Sequence, residues 1–73
     1  MDITIIIPVF NEGEIIESVI KNLRNEGFEN LLVINDGSSD ETPNILKRIG
    51  VKSITHNYNK GYGASLKTGI RNS

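Results

Sequence analysis

A chain of 73 residues with net charge −1, no cysteine and one histidine is at most one small domain, and neither disulfides nor a Cys/His metal cluster can brace it. At 37% hydrophobic and 23% charged residues it has the composition of a globular chain rather than a disordered one. Its longest apolar run, Ile3 to Phe10, is interrupted by Thr4 and Pro8 and falls far short of the roughly 20 residues that a membrane-spanning helix needs.

The charge is unevenly placed. All nine acids lie in residues 1–41, opposed there only by Lys21 and Arg24, which leaves −7; residues 42–73 hold six bases and no acid, +6. Such a split can mark a polyanion-binding tail. The bases are scattered at helical and loop spacings, however, which reads as solvated faces with one or two left to meet a phosphate. Met1-Asp2 offers no basic n-region, so no signal peptide is expected and the expected compartment is the cytoplasm.

The run Ile3-Thr4-Ile5-Ile6-Ile7 is β-branched and does not alternate, as expected of a strand buried on both faces of a parallel sheet and ended by Pro8. Asn11 followed by Glu14 has the spacing of a capping box. Ile15, Ile16, Val19, Ile20 and Leu23 then recur at helical steps, and Gly27 supplies a stop. Leu31-Leu32-Val33-Ile34 predicts a second strand, ended by the turn-rich Asn35 to Asp40. Glu41-Thr42-Pro43 opens a second helix, since proline is tolerated in a first turn; Ile45, Leu46 and Ile49 give its apolar face and Gly50 closes it. Val51 to Thr55 predicts a weaker third strand, His56 to Gly61 a loop, and Ala64 to Ile70 a third helix that Gly69 weakens.

This β-α-β-α-β-α order predicts an α/β fold: a three-layer, Rossmann-like parallel sheet with right-handed crossovers. With strands in the order 3-2-1, the first two helices cover one face and only the third begins to cover the other. The chain is therefore expected to be the N-terminal part of a larger doubly wound domain, or to form a homo-oligomer that hides its open sheet face.

In open parallel sheets, ligands bind at the carboxyl ends of the strands. Three loops fall there: Pro8 to Glu12, Asn35 to Thr42, and His56 to Gly63. Helix N-termini at that edge favour anions. Asp36, directly after the second strand, can accept hydrogen bonds from a ring N–H or a ribose hydroxyl, or can simply shape a tight turn with Gly37. Glu12 can contact a ribose or be a first-turn acid favoured by the helix dipole. Ser38 and Asp40 read as caps. The Gly61-Tyr62-Gly63 loop starts like a dinucleotide fingerprint and, further on, like a phosphate-binding P-loop. Leu66 stands where each motif needs glycine, so both fail. What remains is close backbone approach to a ligand, with Lys60 as a phosphate partner. His56 has no paired Ser or Cys and no metal-spaced companion, and reads as a loop residue. The aromatics Phe10, Phe28, Tyr58 and Tyr62 do not interleave with a basic stripe, so no nucleic-acid partner is expected.

Three blocks in register, Ile5 to Glu12, Val33 to Thr42, and Asn59 to Ala64 continuing through Gly69-Ile70, resemble the opening of a family 2 glycosyltransferase, nearest the dolichol- or polyprenol-phosphate sugar transferases. The resemblance spans nearly the whole chain. It implies a GT-A type fold that binds a nucleotide-diphosphate sugar and transfers a hexose with inversion to an acceptor such as a polyprenyl phosphate. It implies that Pro8, Phe10 and Glu12 line the nucleoside, that Asp36 binds the base, and that the loop containing Lys60, Gly61 and Gly63 lies along the nucleotide-sugar. Asn35 departs from the family's frequent Asp-Asp pair, whereas Asp36 keeps the second acid. The family's divalent cation, Mg or Mn, its Asp-x-Asp ligands and its catalytic base are expected beyond Ser73. Residues 1–73 are thus expected to be an incomplete nucleotide-sugar-binding portion, inactive alone, from a protein placed in the cytoplasm or at the inner face of the membrane. The alternative is a non-enzymatic nucleotide-binding or oligomerising module complete at 73 residues.

Overall fold

The computed structural model describes residues 3–73; Met1 and Asp2, on which the expectation of no signal peptide rests, lie outside the described residues. Six elements follow in the expected order: β1 (Ile5–Val9), α1 (Gly13–Asn25), β2 (Leu31–Asp36), α2 (Thr42–Ile49), β3 (Lys52–His56) and α3 (Tyr62–Asn72). The three strands form one parallel sheet in the order β1-β2-β3. Ile5 pairs with Leu31 and Val9 with Asn35, while Leu32 pairs with Lys52 and Asp36 with His56.

Two expectations about β1 need correction. Pro8 does not end the strand but lies inside it; among the described residues β1 pairs with β2 alone, and a proline there need not donate to a second ladder. For the same reason β1 is only half-buried through Ile5, Ile6 and Ile7. The strand buried along its whole length is β2, the central one.

The core on one face joins Val9, Leu31 and Val33 to Ile16 and Ile20 of α1 and Leu46 of α2. The buried stripe of α1 is thus narrower than the sequence pattern suggests: Ile15 is 52% exposed and Val19 37%. The opposite face receives α3, which crosses β2 and β1. Gly69 makes that crossing close. A Cβ there would lie 2.4 Å from Ile6 Cγ2, so the residue that weakens the helix locally is the one that lets it pack. The division of helices, two on one face and one on the other, is as expected. Among the described residues no helix is long and apolar enough to cross a membrane.

At the far edge from the site, Arg24 donates to the carbonyls of Ile49 (3.2 Å) and Gly50 (3.5 Å), tying the end of α1 to the end of α2. The Arg48–Glu17 ion pair (2.6 Å) is exposed on both sides and contributes about 0–1 kcal/mol.

Candidate functional site

Parallel strands place all three strand-to-helix loops at one edge, and hydrogen bonds then lock the loops to one another. The β1–α1 loop turns at Asn11, whose φ of 53° is in the left-handed region that asparagine tolerates best after glycine. Asn11 N–H donates to Ser38 Oγ (3.0 Å), and Asn11 Oδ1 accepts from the amides of Ser39 (2.8 Å) and Asp40 (3.2 Å). In return Asp40 Oδ2 accepts from Gly13 N–H at 3.2 Å, the first residue of α1. Asp40 Oδ1 accepts from Thr42 N–H at 2.9 Å and from the Thr42 hydroxyl.

One carboxylate therefore serves the first turns of both α1 and α2. The expected Asn11–Glu14 capping box is not formed. The position before α1 is Glu12, which makes no side-chain cap, and the orphan amide is met from a different loop. These bonds, led by those from Thr42, hold the Asp40 carboxyl below its ordinary value of 3.8. Asn35 Oδ1 accepts from Ser38 N–H at 3.3 Å, while its buried Nδ2 has no partner among the described residues.

The second lock is centred on Asp36. Its Oδ1 accepts from His56 Nδ1 (2.7 Å) and Lys60 N–H (2.9 Å), and its Oδ2 from Gly61 N–H (2.8 Å). Asn59 Nδ2 donates to the Asp36 carbonyl at 3.3 Å. Burial raises the Asp36 pKa, but the His56 hydrogen bond and the Lys60 and Gly61 amides outweigh it, so the carboxyl is held below 3.8 and is ionised at neutral pH. Gly37 allows the third loop to come this close. It has φ +71°, and a Cβ on it would lie 2.4 Å from the Tyr58 carbonyl carbon and 2.5 Å from Asn59 N.

Between the first and third loops lies an open cleft of about 310 Å³. Of the residues expected at the site, Pro8, Phe10, Glu12, Asp36 and Gly61 line it; Asn59, Tyr62 and Ser65 line it too. Phe10 is 44% exposed, an apolar ring held at the mouth. Lys60 and Gly63 are not part of the wall. The Lys60 ammonium sits 5.3 Å from the centroid of the Tyr58 ring, and Gly63 is exposed in the first turn of α3.

His56 is not a loop residue. It ends β3, is buried, and bridges Asp36 to Thr68 Oγ1 (2.8 Å from Nε2). Local patterning misses it because its partners are 20 residues before and 12 residues after it. The Asp-His-Thr line has the order of a nucleophilic triad, but Thr68 lies outside the cleft wall and its hydroxyl is also within 3.0 Å of Ala64 O in its own helix. Ser65 does line the cleft, but its hydroxyl donates to Gly61 O at 3.1 Å, and among the described residues the one histidine bonds Asp36 and Thr68 instead of it. Among the described residues no group of three His, Asp or Glu side chains can hold a metal ion, and both loop aspartates are already engaged, so the site does not fit a metal centre.

What the geometry offers is a fixed anionic acceptor, an apolar ring and backbone amides around an open cleft. The model of glycosyl transferase family 2 matches residues 4–73. The chain belongs to that family. An uncharacterized protein of Methanocaldococcus jannaschii is 43% identical over 70 residues, covering 96% of this chain and 29% of its own length. The UDP-N-acetylglucosamine–dolichyl-phosphate N-acetylglucosaminyltransferase of Methanococcus voltae is 33% identical, over 94% of this chain and 34% of the relative. The chain thus spans about a third of the length of these two relatives. Among solved structures, a mannosyltransferase of Pyrobaculum calidifontis in complex with GDP-Man and Mn2+ superposes with TM-score 0.87 over 96% of this chain and 24% of that one, at 22% identity. The likeness establishes the Rossmann-like glycosyltransferase fold expected from the sequence.

Proposed function

We propose that residues 1–73 form the nucleotide-binding part of an inverting glycosyltransferase that takes a nucleotide-diphosphate sugar and passes its hexose to an acceptor, a polyprenyl phosphate being the one the Methanococcus relative's name points to. The observation that carries this reading is the ionised Asp36 carboxylate, fixed by three hydrogen bonds at the wall of a cleft whose mouth is Phe10. An anionic acceptor there receives a base N–H or a ribose hydroxyl, and the ring gives a stacking surface of the kind that contributes about 1–3 kcal/mol per base. Glu12 and Pro8 extend the nucleoside wall, Gly61 brings backbone close to the ligand, and Lys60 and Gly63 lie where the diphosphate and sugar run past α3. Lys60 reaches a phosphate by leaving the Tyr58 ring.

The divalent cation present with the Pyrobaculum neighbour finds no ligand set among the described residues of this chain. No step of transfer is assigned to these residues, and the chain alone is expected to bind without turning over. Calorimetric titration with UDP, GDP, UDP-glucose and GDP-mannose tests the reading. Binding that Asp36→Ala reduces tenfold or more supports it, as does the absence of radiolabelled sugar transfer by the 73-residue chain with Mg or Mn. No binding at millimolar nucleotide, or binding indifferent to Asp36→Ala, refutes it and leaves the oligomerising module.

A further inference from the structure

The cleft reading leaves one buried titratable group without a role: His56. Its position follows from register. Asp36 and His56 are paired residues on neighbouring parallel strands, so both side chains stand on the same sheet face, the one α3 crosses. Each side chain is only 6% exposed. A carboxylate offers about four acceptor positions. On Oδ1, His56 Nδ1 and Lys60 N–H occupy both; on Oδ2, Gly61 N–H occupies one. One position on Oδ2 stays open.

Hydrogen-bond bookkeeping also fixes the imidazole. Asp36 is ionised and can only accept, so Nδ1 must carry a proton. Nε2 then either accepts the Thr68 hydroxyl or, if protonated, donates to it while that hydroxyl turns to Ala64 O at 3.0 Å. In both arrangements the ring is pinned at its two nitrogens, between α3 and the carboxylate.

We propose that His56 is the positioning residue of the site: pinned by Thr68, it holds the Asp36 carboxylate in the one orientation that presents the open Oδ2 acceptor position to a nucleoside donor in the cleft. This rests on the nucleotide-binding reading above. The Lys60 and Gly61 amides belong to a loop and follow the carboxylate, whereas the imidazole comes from the sheet and sets it. Asparagine carries an amide donor in about the place of Nδ1, so it separates holding the carboxylate from merely filling the space.

The test is UDP and GDP titration of the full chain and of His56→Ala, His56→Asn and Thr68→Val, with the fold checked by circular dichroism. His56→Ala is expected to weaken binding about tenfold, the share of one hydrogen bond to a charged group; His56→Asn is expected to recover most of that loss, and Thr68→Val to weaken binding a few-fold. If His56→Ala does not fold, Thr68→Val against Thr68→Ser carries the same comparison. In the parent chain, imidazole 15N shifts are expected to show Nδ1 protonated.

If the parent binds and Asp36→Ala does not, but His56→Ala binds like the parent or His56→Asn restores nothing, the positioning role is overturned while the nucleotide reading survives. An imidazole protonated on Nε2 alone overturns it as well. If the parent binds neither nucleotide, the reading itself fails and takes this inference with it.

Discussion

Replacing Gly69 by alanine sets two effects of opposite sign against each other. In a helix interior the change gains about 1 kcal/mol, because alanine gives up less backbone entropy. At this position the new methyl would lie 2.4 Å from Ile6 Cγ2, 3.1 Å from Cδ1 and 3.2 Å from Cγ1. Cγ2 branches directly from Cβ, so it moves only if Ile6 changes its stiff χ1 or the strand and helix separate. Overpacking of that kind costs about 1–3 kcal/mol, so Gly69→Ala is expected to lose its helix gain and to destabilise by up to about 2 kcal/mol net. Ile6→Ala removes all three obstructing carbons. On that background Gly69→Ala should instead stabilise by about 1 kcal/mol, a coupling of about 1–3 kcal/mol between the two positions. Urea unfolding of the four chains measures it. If Gly69→Ala stabilises equally on both backgrounds, the close crossing of α3 over β1 is not what holds the third layer in place.

Gly37→Ala combines a left-handed φ, about 1–2 kcal/mol for an L side chain, with a Cβ 2.4 Å from the Tyr58 backbone. It should lower stability by about 2–4 kcal/mol and push the third loop off Asp36; a urea midpoint within error of the parent's would contradict the placement of that loop. The folded-state pKa values of Asp36 and Asp40 are both depressed below 3.8, so the unfolded chain takes up protons first as pH falls. Their contribution to stability is complete above about pH 5, declines as pH falls through 3.8 and is lost below the folded values. Unfolding midpoints taken from pH 6 to pH 2.5 should show that decline, and Asp40→Asn should make it shallower; an unchanged slope would mean Asp40 is not the shared cap.

The element order, the parallel sheet and the assignment of α1 and α2 to one face were legible because each depends on local patterning and chain topology. The errors share a physical origin. Pro8 sits inside β1, which among the described residues pairs with β2 alone, a matter of strand order and not of residues 5–9. The Asn11–Glu14 spacing looked like a cap, but Gly13 N–H is met by Asp40, 27 residues away. Ile15 and Val19 fit the helical period and still face outward, while Ile16 and Ile20 beside them meet the sheet. His56 escaped notice because its two partners are on other elements. Asp36, Glu12 and Phe10, which the resemblance groups at one edge of the sheet, line a single cleft there, whereas Lys60 meets Asp36 through its backbone amide and holds its ammonium over Tyr58.

The doubled use of Asp40 has a consequence for motion. Releasing the β1–α1 loop strips Gly13 N–H of its acceptor and frees Asn11 from Ser39 and Asp40. Releasing the β2–α2 loop breaks the same bonds from the other side. Neither loop has a private set of contacts to keep while its neighbour opens, so the two form one cooperative unit in the sense used for local unfolding. The amides of Asn11, Gly13, Ser39, Asp40 and Thr42 should then exchange with solvent deuterium as a group, although the residues at its ends are 31 positions apart in the chain.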